Sequence, residues 1–269
     1  MRTPTDPSSA VSAPAPGPSG VPTGDVAPVV LVLPAHDEEA SVAAVVARAP
    51  ALVLGHPTVV LVVDDGSSDA TATEAARAGA IVESMGANRG LGAAVRRGLA
   101  RALDWDPVAV AFCDADGEYA PEELEHLVAP ILEGRADYVV GSRFSTGERQ
   151  MRPHRMVGNR TLTVATRALA GVPLTDGQSG YRAFSPAATR AADIIHDYNY
   201  AQVLTLDLVA KGFRYHEVPI SYRFRRHGTS FVSLGTYLRR VVPAVRAQLR
   251  AQPIRRPVRP ADVPATTTP

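Results

Sequence analysis

Short apolar runs alternate with Ala-rich stretches of helical period along most of this 269-residue chain. The runs Val29 to Leu33, Val59 to Val63, Ala80 to Ser84, Val108 to Cys113 and Tyr138 to Gly141 read as strands. Between them, Ala40 to Ala49, Ala70 to Ala78, Gly92 to Leu103 and Pro121 to Glu133 read as helices. Such alternation predicts βαβ units, and so an α/β fold with a mainly parallel, Rossmann-like sheet flanked by helices. After Gly141 the rhythm changes. A basic segment from Arg149 to Arg160, a helix from about Asn159 to Leu169, the loop DGQSGYRAF, a helix near Tyr200 to Lys211 and the strand-like Tyr215 to Tyr222 are expected to extend the same sheet, in one domain.

Three of the predicted strands end in polar clusters: PAHDEE, DDGSSD and DADGE. In open α/β sheets ligands bind outside the carboxyl ends of the strands, so the clusters are expected to share one crevice. In VAVAFCDADGE the two-residue period of an extended chain sets Asp114 and Asp116 on one side and Ala115 on the other. Two adjacent carboxylates repel and lose hydration unless a divalent cation or several hydrogen-bond donors lie between them. Hard oxygen ligands suit Mg²⁺ or Mn²⁺. A polar turn after a strand is the other reading, since Asp and Gly are common in turns.

Composition adds the boundaries. Residues 1–27 and 253–269 are rich in Pro, Ala, Ser and Thr, with few large apolar side chains, and are expected to be disordered tails. The single cysteine, Cys113, excludes a disulfide framework within the chain and fits a reducing compartment. No signal-peptide-like stretch and no run near the roughly 18 apolar residues of a membrane span is present, so a cytoplasmic protein, in contact with a membrane at most peripherally, is expected. Charge is uneven: from Lys211 to Arg259 there are twelve Lys and Arg against one acid, Glu217. Such a segment suits phosphates or anionic lipid. Nucleic acid is not expected, because the basic residues lack interleaved stacking aromatics.

The ordered set PAHDEE, VVDDGSSDAT, NRGLGAAVRRG, DADGEYAPEEL, GSRF, DGQSGYRAF and EVPISYRFRRHGTS resembles the family 2 glycosyltransferases of GT-A fold, most closely their polyprenyl-phosphate (dolichol-phosphate mannose synthase-like) branch. The resemblance implies a domain at 28–252, divided into a nucleotide-binding half (28–141), an acceptor half (142–232) and a basic amphipathic helix (233–252). It implies inverting transfer of a sugar from a UDP- or GDP-sugar, with Mg²⁺ or Mn²⁺, to a polyprenyl phosphate acceptor. By the same resemblance Pro34, Ala35, His36, Glu38, Val63 and Asp65 line the nucleotide pocket. Asp114, Ala115, Asp116 and Glu118 surround the diphosphate, the three acids as metal ligands. Arg143 and Arg225 contact phosphates and share the catalytic role with Asp114 and Asp116. Asp176, Gln178, Ser179 and Arg182 shape the acceptor side.

Structural roles compete with some of these. Glu38 and Asp69 stand where a carboxylate caps the helices that follow. Asp64 reads as structural, because only one of two adjacent aspartates in an extended chain can face a ligand.

Two departures bear on the acceptor. Many relatives carry an acid where this chain has Val203, beside Gln202; a lipid phosphate is already anionic and needs little or no base, whereas a hydroxyl acceptor would need another, such as Asp176 or Asp207. Phe231 replaces the lysine of the related RxxGxSK pattern, with Arg226 or Arg239 as possible substitutes. Residues 233–250, with Pro243 inside, could lie on anionic lipid or cover the protein's own core. A soluble sugar, glycan or phosphoglycerate-like acceptor, a catalytically silent nucleotide-binding subunit and a nucleotidyltransferase are the alternative functions.

Overall fold

A computed structural model describes residues 26–144, 163–164, 166–195 and 200–223. Arg225, Arg226, Phe231, Arg239 and the expected basic helix lie outside the described residues, as do both tails apart from Val26 and Ala27. In chain order the elements are β1 (Val29–Ala35), α1 (Val42–Arg48), β2 (Leu52–Val53), β3 (His56–Asp64), α2 (Thr71–Arg77), β4 (Ile81–Ser84), α3 (Leu91–Ala102), β5 (Ala109–Phe112), α4 (Leu124–Leu132) and β6 (Tyr138–Ser142). Helical residues 166–170 form α5, followed by β7 (Arg182–Phe184), α6 (Pro186–Ala191), α7 (Ala201–Ala210) and β8 (Tyr215–Pro219).

One sheet holds all the described strands in the order β2-β3-β1-β5-β7-β6-β8, with β4 also paired to β3. At its centre every residue of β1 is buried, which is why VVLVLPA is a continuous apolar run rather than an alternating one. Leu31 and Leu33 face a core shared with α1, α2 and α4, while Val30 and Val32 face a second core with α3 and α7. The α3 helix comes close enough that a Cβ on Gly98 would overlap the Val32 side chain. Parallel pairing of β1 runs in register from Val29↔Thr58 to Ala35↔Asp64, and on its other side to Val32↔Phe112. Because β3, β1 and β5 are parallel neighbours, their polar carboxyl ends emerge side by side.

The segment expected as the loop DGQSGYRAF departs from that expectation at its end. Arg182–Phe184 is a strand, antiparallel to β5 (Val110↔Phe184) and to β6 (Val139↔Ala183), which separates the two. Three residues beginning with an arginine give no readable period, so neighbours rather than local pattern decide their conformation. The edge strand β8 pairs in parallel with β6, Val140↔Glu217 among its partners.

Candidate active site

The first two strand-end loops are sewn together by their own acids. Asp37 Oδ1 accepts from the Ser68 amide (2.8 Å), and the Asp37 amide donates to Ser67 Oγ (3.0 Å). Glu39 and Asp69 exchange the same service, Glu39 Oε2 accepting from the Ala70 amide (3.0 Å) and Asp69 Oδ2 from the Glu39 amide (3.2 Å). Asp69 Oδ1 also takes the amide of Thr71, the first residue of α2 (2.9 Å), but the N-cap position is Ala70, one residue later than the expected Asp69 cap. Glu38 accepts from Ser41 Oγ through Oε2 (2.7 Å) at the entry to α1.

Asp64 and Asp65, both nearly buried, diverge as extended chain requires. Asp64 holds its own turn, accepting from the Ser67 amide (3.1 Å) and Ser84 Oγ (3.3 Å). Asp65 reaches the next loop, its two oxygens accepting from the amides of Arg89 (2.7 Å) and Gly90 (2.8 Å) at the start of α3. Gly90 is glycine for a backbone reason, with φ +92°. Asn88 Nδ2 lies 2.9 Å from His36 Nε2, which joins this loop to the end of β1. The remaining ring nitrogen, His36 Nδ1, is buried with no hydrogen-bond partner. Pro34 pairs with Val63 in the sheet, while the side chains of Ala35, Val63 and Ala115 belong to the core, so only their backbone can meet a ligand.

After β5 the chain places Asp114 and Asp116 in low-dielectric surroundings. Burial, then the Glu118 charge, raises Asp114 well above the usual carboxylate range, against the pull of Arg143 and Arg182. For Asp116, burial, then Asp114 and Glu118, act in the same direction. Asp116 Oδ1 also accepts from the Glu118 amide (2.9 Å), and Glu118 Oε2 accepts from the Tyr222 hydroxyl (2.9 Å). Among the described residues no three His, Cys, Asp or Glu side chains gather to hold a metal ion unaided. Two half-buried, mutually repelling carboxylates could supply two oxygen ligands and gain charge balance from a divalent ion, with phosphate oxygens and water completing a Mg²⁺ or Mn²⁺ shell. The donor set therefore fits such an ion when a diphosphate arrives with it.

The 176–182 segment closes over this pair. The Gly180 amide donates to the Tyr119 hydroxyl (2.7 Å), and the Tyr119 ring meets those of Tyr181 and Tyr222 edge-on. Arg143, after β6, is bidentate to the fully buried Asp176 (Nε to Oδ2 2.6 Å, Nη2 to Oδ1 2.9 Å), and its guanidinium lies 5.1 Å from the Tyr222 ring centroid. Burial opposes the Asp176 charge, yet the Arg143 charge and hydrogen bonds bring its carboxyl below the ordinary value. Gln178 donates its amide to Asp176 Oδ1 (3.2 Å), and Ser179 Oγ accepts from the Tyr181 amide (3.2 Å), so both shape the turn.

Arg182 lies deeper than its expected place on the acceptor side. It is fully buried, and its guanidinium donates to the carbonyls of Ser179 (2.9 Å), Ala201 (2.9 Å) and Gly177 (3.3 Å) and to the Tyr138 hydroxyl. It can reach an acceptor only through the loop it clamps. Val203 is buried on α7; beside it both carboxamide atoms of Gln202 are buried without a partner. Asp207, the alternative base, is buried with Lys211 Nζ 2.8 Å away and the Asp193 amide at 3.0 Å. Sequence reasoning missed Tyr119, Thr175, Glu217 and Tyr222; the one signal was that Glu217 is the single acid in a basic segment.

A mixed sheet of this order, with acids at three adjacent strand ends, defines a GT-A nucleotide-sugar transferase fold. The chain belongs to glycosyltransferase family 2, whose model, described as glycosyl transferase family 2, matches residues 30–190. It is 33% identical over 76% of its length to polyprenol monophosphomannose synthase of Mycolicibacterium smegmatis, covering 80% of that protein. It is 32% identical over 72% of its length to undecaprenyl-phosphate mannosyltransferase of Micrococcus luteus, covering 83% of that protein. Among solved structures, glucosyl-3-phosphoglycerate synthase of Mycobacterium tuberculosis, in complex with Mn²⁺, UDP and glucosyl-3-phosphoglycerate, superposes with a TM-score of 0.65 at 25% identity, over 82% of this chain and 79% of that one. Among the described residues no helix is long and apolar enough to cross a membrane.

Proposed function

We propose that this glycosyltransferase moves a sugar from a UDP- or GDP-sugar to a polyprenyl phosphate, with inversion at the anomeric carbon. The observation that carries the reading is the half-buried Asp114–Asp116 pair near the Arg143–Asp176 clamp, in a chain whose relatives include two polyprenyl-phosphate mannosyltransferases. Asp114 and Asp116 hold Mg²⁺ or Mn²⁺, with Glu118 next to them. The bound ion supplies electrostatic stabilisation of the departing diphosphate. His36, Glu38 and Asp65, with the backbone of Pro34, Ala35, Val63 and Ala115, form the wall for base and ribose. Arg143 places a fixed positive charge at the phosphates, and because Asp176 holds it bidentately it costs little reorganisation. Asp176, Gln178 and Ser179 form the acceptor-side turn, with Arg182 behind it. A phosphate acceptor arrives ionised, which suits a site whose α7 carries Val203 where many relatives have an acid.

The experiment is partition of labelled sugar. Protein with labelled GDP-mannose or UDP-glucose, Mn²⁺ and undecaprenyl phosphate is expected to send label into the organic phase, and Asp116→Ala is expected to abolish it. Label confined to water-soluble products would favour a soluble acceptor, a reading motivated by the likeness to glucosyl-3-phosphoglycerate synthase. UDP binding with no transfer at all, and no response to Asp116→Ala, would mark a silent nucleotide-binding subunit.

A further inference from the structure

Glu217 stands on β8, beside Val140 of β6, and its carboxylate is turned toward the acceptor-side loop. Oε2 accepts from the Thr175 amide (2.8 Å), while Oε1 accepts from both the Thr175 hydroxyl (2.7 Å) and the Asp176 amide (2.8 Å). With its proton given to Glu217, the Thr175 hydroxyl accepts from Ser142 Oγ, 2.7 Å away. Ser142 is the last residue of β6, and Arg143 follows it. The bidentate clamp between Asp176 and Arg143 therefore has both of its backbone footings tied to one carboxylate: Asp176 directly, and Arg143 through Ser142 and Thr175.

We propose that Glu217 is a positioning residue for Arg143, fixing the direction of that guanidinium by holding Thr175 and Asp176. Three donors converge on the two oxygens, and only a carboxylate accepts on both. A glutamine would turn its NH₂ toward one of these donors, setting donor against donor and freeing one end of the loop. Aspartate is one methylene too short to span the same three groups. Charge alone does not explain the residue: the groups it serves are two amides and the Thr175 hydroxyl, with the Tyr215 hydroxyl also beside it, not cations.

The value of this placement for transfer rests on Arg143 facing phosphate, as proposed above; the placement itself is testable without any substrate. In ¹⁵N-labelled protein the Nε–H of Arg143, donated to buried Asp176, is expected to give a protected cross-peak, assigned by its loss in Arg143→Lys. The Nε–H of Arg214, donated to Asp137 (2.8 Å) beyond the other end of the β6–β8 pair, serves as the internal control, assigned with Arg214→Lys. In Glu217→Gln the Arg143 Nε–H is expected to exchange at least about tenfold faster, with the Arg214 peak unchanged. Equal acceleration of both peaks would mean a general loosening of the edge strand and would overturn the positioning role, as would an unchanged Arg143 peak. If Glu217→Gln does not fold, Thr175→Val, which removes the bridging hydroxyl, is read by the same two peaks and the same criteria. Sugar transfer by Arg143→Lys separates the two readings: normal transfer there defeats the phosphate role of Arg143, whatever the exchange rates show.

Discussion

Gly180 presses on Asp114: a Cβ at position 180 would stand 2.5 Å from Asp114 Oδ2 and 3.2 Å from the Tyr119 ring. The turn at 176–182 and Asp114 are thus in close contact, and the absence of a side chain at 180 is what permits it. Gly180→Ala must move either the carboxylate or the loop. We expect it to lower stability by about 1–3 kcal/mol, the usual cost of overpacking. Mn²⁺-dependent UDP binding, measured by calorimetry, is expected to weaken about tenfold, equivalent to roughly 1.4 kcal/mol.

Raised carboxyls at Asp114 and Asp116 give stability a definite pH trend. Between an unfolded value near ~4 and the raised native values, the folded state binds more protons than the unfolded chain, so stability falls as pH rises through that window. Metal-free protein is therefore expected to melt at lower temperature as pH rises from about 5 toward 8. Mn²⁺, which binds the deprotonated pair, is expected to raise the melting temperature increasingly over the same range. In Asp116→Asn both the Mn²⁺ shift and much of the pH slope should vanish, as differential scanning calorimetry would read directly.

Asp65 joins two strand-end loops through backbone alone. Removing its carboxylate in Asp65→Ala leaves the amides of Arg89 and Gly90 unpaired in a part-buried setting. A loss of about 2–3 kcal/mol in urea unfolding is expected, because both bonds are to a charged acceptor. UDP affinity is expected to fall as well, since the α3 entry would move with the loop.

Asp176→Asn tests the buried ion pair. Arg143 has only a tenth of its side chain exposed and Asp176 none, so neutralising the acid leaves a buried guanidinium poorly compensated. A destabilisation of about 3–5 kcal/mol is expected. The wild-type pair also sets an acid limit: with the Asp176 carboxyl lowered in the native state, its contribution is intact above about pH 4 and is lost as pH falls through the native value. An acid titration should therefore show a transition in the wild type that Asp176→Asn lacks.

Much of the segment from β1 to β5 was legible in the sequence because each signal there is local. A run such as VVLVLPA buries all of its residues and is followed, starting two residues on, by the acids Asp37, Glu38 and Glu39, so both strand and loop can be read from neighbouring letters. The segment after β6 depends on distant partners. Arg182 looks like a surface cation in GYRAF, yet Tyr138, Ala201 and Thr205 converge on it from other elements. Glu217 lies in a basic stretch on an edge strand, where an acid reads as solvent-facing; its three donors come from a loop some forty residues earlier. Likewise β7 is too short to carry a period, and its identity comes from the gap between β5 and β6.

That short strand also dictates an order of assembly. β1, β3 and β5 can associate as soon as the first half of the chain has been made, whereas β6 has no place in the sheet until Arg182–Phe184 has arrived to bridge it to β5. Long-range pairing of this kind closes late. The β3–β1–β5 half of the sheet should thus form a cooperative unit of its own, with the three-residue bridge as the seam along which the molecule first opens. Native-state hydrogen exchange would show this as weaker protection of the β7 and β6 amides than of those in β1 and β3.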